Sequence, residues 1–98
     1  MSAELVARLE GADAGARRVA ILDLIALAGH DPGAGSVLLA YLDRESDERA
    51  ALLIIRHVGK VAGREALPVL WRLQERRQTP ARIAHAAIVE HDRIIGRT

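Results

Sequence analysis

Three arginines, Arg18, Arg49 and Arg82, stand near the start of segments that match one another position by position. Two residues on lie Ala20, Ala51 and Ala84; six on lie Leu24, Ile55 and Ile88; nine on lie Leu27, Val58 and His91. The intervals between the arginines are 31 and 33 residues. Between these segments a second set matches at an offset of 32: Ala34 with Ala66, Val37 with Val69, Leu38 with Leu70, and Leu39 with Trp71. A period of this size marks a supersecondary unit that cannot bury its apolar face alone and must stack on its neighbours.

Each unit reads as a helical hairpin. Ile21, Leu24, Ile25 and Ala28 recur at the spacing of one helix face, and no segment alternates long enough to argue a strand. The pattern predicts six helices, over residues 3–10, 14–28, 34–44, 47–58, 65–77 and 80–94. Gly11, Gly29 and Gly59 are expected in the left-handed position just past helix ends. Ser46 or Asp47 is expected to cap the fourth helix, and Thr79-Pro80 to start the sixth. Pro68 belongs in a first helical turn, because further in its ring would strike the carbonyl four residues back. The Gly29–Gly35 run reads as a flexible turn between helices. It lacks the Gly-Lys-Ser/Thr of a phosphate loop. Residues 1–98 are then one domain: half a unit, two units and another half.

The chain has no cysteine, so disulfides and zinc–thiolate sites are ruled out. The N-terminus shows no basic region leading into an apolar one, and the longest apolar stretch, broken by Asp23, falls short of a membrane span. A cytoplasmic protein is expected. Net charge is +1 but uneven. Residues 1–49 hold five Arg against nine Asp and Glu, a balance of −4; residues 50–98 hold nine Arg and Lys against four, a balance of +5.

An arginine opening one helix, a small residue and an aliphatic pair within it, a glycine at its end, and then an Ala-x-Pro-x-Leu second helix form a recognisable order. Ala66-Leu67-Pro68-Val69-Leu70 is its clearest instance. In this the chain resembles the short bacterial HEAT-like repeats, the kind also found in phycobilin lyase subunits. It departs from them at Asp23, where a small apolar residue is usual, and in ending without the third unit's second helix. The resemblance implies an all-α, right-handed α-α superhelix: a short solenoid of about six helices. It also implies that the second helices line a concave face that receives a partner.

The residues offer little for catalysis or for a cofactor. The four histidines show no His-x-x-x-His spacing, and no Gly-x-Ser-x-Gly elbow occurs. His91 takes the repeat position of Leu27 and Val58, which makes it a half-buried structural residue. What remains is surface. Projection of the third and fifth helices at 100° per residue turns Val37, Arg44, Val69, Arg72 and Arg76 away from the core as one strip. Trp71 fits either an Ala-rich core gap or an interface. The expected function is a non-catalytic protein–protein interaction module, an accessory or regulatory subunit, with self-association through its terminal helices as one mode. Two alternatives are a nucleic-acid-binding HEAT-like protein and the non-catalytic subunit of a lyase-type enzyme. Scarce aromatics, interleaved acids and a pI near 8.4 argue against nucleic acid.

Overall fold

The computed structural model describes residues 3–96, and these are all-helical. The elements are α1 (Ala3–Leu9), α2 (Ala14–Leu27), α3 (Pro32–Leu42), α4 (Glu48–Ala62), a short 3-10 turn (Gly63–Ala66), α5 (Leu67–Glu75) and α6 (Ala81–Gly96). None is long and apolar enough to cross a membrane.

Local chemistry sets the boundaries. Asp13, Asp31 and Asp47 sit in extended backbone at the N-caps of α2, α3 and α4, and each carboxylate accepts a hydrogen bond from an amide of the first turn. Such caps satisfy donors that have no partner within the helix. Pro32 follows Asp31 in the first turn of α3, so the helix begins before Ala34 and half of the glycine run is helical rather than a flexible turn. Pro68 lies in the first turn of α5, as its missing amide demands. The expectation for Gly59 is overturned. Gly59 is inside α4, which continues to Ala62, and Gly63 with φ of 60° makes the break. Among the described residues no other glycine has positive φ, Gly11 and Gly29 included. α4 outlasts Gly59 because Val61 and Ala62 still pack against the core.

Ion pairs fix the directions of the helices. Arg18, in α2, pairs with Asp47 at the start of α4 (3.0 Å), and Arg82 at the start of α6 lies 3.7 Å from Glu48. The N-terminal ends of α2, α4 and α6 therefore lie together. The C-cap residues of α3 and α5, Asp43 and Arg76, meet at 2.7 Å. α4 is flanked by α2 and α6, while α1, α3 and α5 back onto α2, α4 and α6 in turn. The molecule measures 33 × 29 × 15 Å. Two helix layers with axes ~9 Å apart and Cα radii of ~2.3 Å have about this thickness.

The core is the shared plane between the layers. Ala20, Leu24, Ala34, Leu38, Ala50, Ile54, Ile55, Val58 and Leu70 are inaccessible or nearly so. Matched residues of α2 and α4 share their burial: Ala20 and Ala51 are buried, as are Leu24 and Ile55. The expected match of α6 is overturned, because its buried residues Ile83, Ala87 and Glu90 follow Ala51, Ile55 and Val58 by 32 positions and not by 33. Ala84 is half-buried and Ile88 is 43% exposed, because these positions of α6 lie on the outer side of the molecule.

Candidate functional site

The strip expected from the sequence forms in part. Arg72 and Arg76 converge on Asp43, at 3.6 and 2.7 Å. Arg76 also donates to the Asp43 carbonyl at 3.3 Å. A carboxylate at the C-terminal end of α3 faces the negative end of the helix dipole, and the two arginines offset that. Arg44 is exposed and lies over the Tyr41 ring, 5.5 Å from its centroid. Val37 is half-buried and shares a shallow depression with Arg44, Tyr41 and Val6. Val69 is a correction: it is only 8% exposed and belongs to the core. The projection assumed that α5 is covered from one direction. It packs against α6 and meets the end of α3 through Arg72, Arg76 and Asp43, and two neighbours bury a wider arc than one.

A cleft of about 310 Å³ adjoins the Asp43–Arg76 pair, between the α3–α4 and α5–α6 connections. Leu42, Leu73 and Ile83 supply apolar wall; Ser46, Gln78 and Thr79 supply polar groups. Beside it lies a network that sequence reasoning missed. The Arg17 guanidinium donates to Glu45 at 3.2 Å and to the Gly11 carbonyl at 2.8 Å, and the Glu45 side chain is almost wholly enclosed. Burial, then the hydrogen bond and negative charge of Glu45, push the Tyr41 hydroxyl up to about 12. Arg17 and Glu45 are 28 positions apart, and no local pattern relates them.

The second candidate is the outer face of α5 and α6. Trp71 is 51% exposed, so it fills no core gap. Its indole donates to Glu75 at 2.7 Å, and its ring stands 5.9 Å from that of His91, which is half-buried as expected. Ile88 and Ile95, one heptad apart on α6, are both close to half exposed. The face thus presents a ring held in one pose beside two aliphatic side chains. Exposed apolar area of this kind, centred on an indole, is characteristic of contact surfaces. Another residue without a sequence signal is Glu90. It is buried on α6 and accepts from Arg93 at 3.0 Å, and it lies 32 positions after Val58, which is buried on α4.

Among the described residues no group of three or more His, Cys, Asp or Glu is placed to hold a metal ion. Comparison of the chain with protein-family models, with curated proteins and with solved structures gave no match.

Proposed function

We propose that the chain is a non-catalytic interaction module built of HEAT-like helical hairpins, working in the cytoplasm as an accessory subunit that binds another protein through the outer face of α5 and α6. The observation that carries this reading is the exposed apolar surface of α5 and α6: Trp71, Ile88 and Ile95 are 51%, 43% and 47% exposed. An apolar face of this kind on two neighbouring helices suits a partner helix laid across it. The superhelical form belongs to the same reading, supported by the ~32-residue period. The strip of Arg44, Arg72, Arg76 and Val37 is a lesser contact surface in this view, because Asp43 already engages two of its three arginines.

Trp71 is the chain's single tryptophan, so its fluorescence reports on this face directly. Tagged parent chain and a Trp71→Ser, Ile88→Ser variant would be incubated in parallel with lysate of the source cells. The expected result is a co-purifying protein that is lost with the variant and that shifts the parent's Trp71 emission to the blue when purified and added back. Retention of every co-purifying protein by the variant refutes the reading. A blue shift that grows with the concentration of the chain alone makes the partner a second copy.

A further inference from the structure

Arg49, Arg56 and Lys60 occupy positions i, i+7 and i+11 of α4. At 100° per residue they share an arc of about 40°, on the side facing away from the core, and they span about 17 Å of helix. All three are exposed. Arg18 of α2 and Arg82 of α6 join Arg49 and Arg56 around one open depression of about 300 Å³, floored by Leu52 and Leu53. Arg18, Arg49 and Arg82, near the starts of three neighbouring helices, thus line one depression together.

The fold gives this cluster little in return. Arg18 and Arg82 are held by Asp47 and Glu48, but Arg49, Arg56 and Lys60 enter none of the ion pairs among the described residues. Arg49 is the second residue of α4 and Arg82 the second of α6. There the positive end of the helix dipole favours an acid over an arginine. Like charges gathered at a site where local preference runs the other way point to a role outside folding.

We propose that the exposed face of α4 docks an acidic amphipathic segment of another protein, helical when bound. Carboxylates one heptad apart on such a segment repeat every ~10.5 Å, which matches the Arg49–Arg56 spacing on α4. Apolar residues between them meet Leu52 and Leu53. This floor, and a lining without any aromatic ring, suit a protein segment better than a nucleic-acid strand, which would use base stacking. Of the chain's own acids, Asp23, Asp43, Glu45, Asp47, Glu48 and Glu90 are already paired with an arginine within the chain, so they are not free to fill this face from a second copy. The surface is distinct from the Trp71 face, and either can fail without the other.

The test uses a fluorescein-labelled peptide of about three heptads, with glutamates at heptad spacing and leucines beside them, titrated with the full chain and followed by anisotropy. The same peptide with glutamine for glutamate, and a DNA duplex of about 20 base pairs, serve as comparison probes. The glutamate peptide is expected to bind, to weaken as salt rises, and to lose about ten-fold or more in affinity when Arg49→Glu and Arg56→Glu are combined. The glutamine peptide is expected to bind far more weakly. Arg49→Glu alone is expected to leave the melting temperature unchanged or raised, which separates lost binding from lost folding. Undiminished binding by the double variant, equal binding of the glutamine peptide, or a DNA duplex that binds more tightly than the peptide each overturns the proposal.

Discussion

The backbone carbonyl of Val61 occupies the space that a side chain on Gly35 would need. A Cβ built on Gly35 would collide with the Val61 carbonyl oxygen, which is backbone and cannot swing aside. Gly35 is buried within α3, and Val61 lies in the last turn of α4. The absent side chain is what lets the two helices pack this closely. Gly35→Ala is therefore expected to lower stability by roughly 2–3 kcal/mol despite its better helix propensity, since overpacking outweighs a gain of about 1 kcal/mol. Urea unfolding of the two chains checks this, and an unchanged or raised midpoint would contradict the close approach.

Reversing Arg72 and Arg76 together to Glu is expected to destabilise the chain, because both face Asp43. Each pair is partly exposed, so simple removal costs only ~0–1 kcal/mol, while reversal adds repulsion. The double reversal should thus melt below the Arg72→Ala, Arg76→Ala chain, and adding Asp43→Lys should restore part of the loss. A double-mutant cycle reads this directly.

Tyr41 gives the fold a limit in alkali. Its hydroxyl is held in the neutral form, with a folded-state pKa of about 12 against 10.0 for the free group. A raised pKa means that the contribution is complete below the unfolded value and is lost as pH rises through the folded one. Stability should fall between about pH 10 and 12. In Tyr41→Phe this part of the pH dependence should flatten. An identical alkaline profile for both chains would show that the hydroxyl does not carry it.

Arg93→Ala is expected to cost more than an ordinary surface truncation. Glu90 is 3% exposed and Arg93 is the partner that its carboxylate contacts. Leaving that carboxylate without its cation should cost roughly 1–3 kcal/mol. Restoring stability by adding Glu90→Leu would identify the stranded charge as the cause.

Much of the architecture was legible in the sequence because its signals are local or periodic. The all-helical class follows from the 3.6-residue recurrence, and the burial of Ala20 and Ala51 from their small side chains at matched places in apolar helices. Helix ends were less legible. Gly59 and Gly63 look alike in sequence, and the choice between them was made by Val61 and Ala62 packing after the first. The site was legible in composition but not in connectivity. Arg72 and Arg76 were identifiable as outward-facing, yet their engagement by Asp43 spans 33 residues for Arg76 and depends on how α3 meets α5. Val69 went astray because the number of helices covering α5 is a tertiary fact. The Arg17–Glu45 contact has no signature, since 28 positions separate the two and no local pattern relates them; only Tyr41 and Glu45, four apart, are neighbours by spacing.

A slab 15 Å thick also fixes how this protein can respond to what it meets. With two layers and one apolar plane between them, every helix has one side on that plane and another at the surface. Pressing on either broad face therefore bears on the same small set of contacts. Whatever binds across α4 pushes on Ile54 and Ile55, which rest against the opposite layer. Tightening on one broad face should be felt as slower amide exchange on the other, with no hinge and no moving part required.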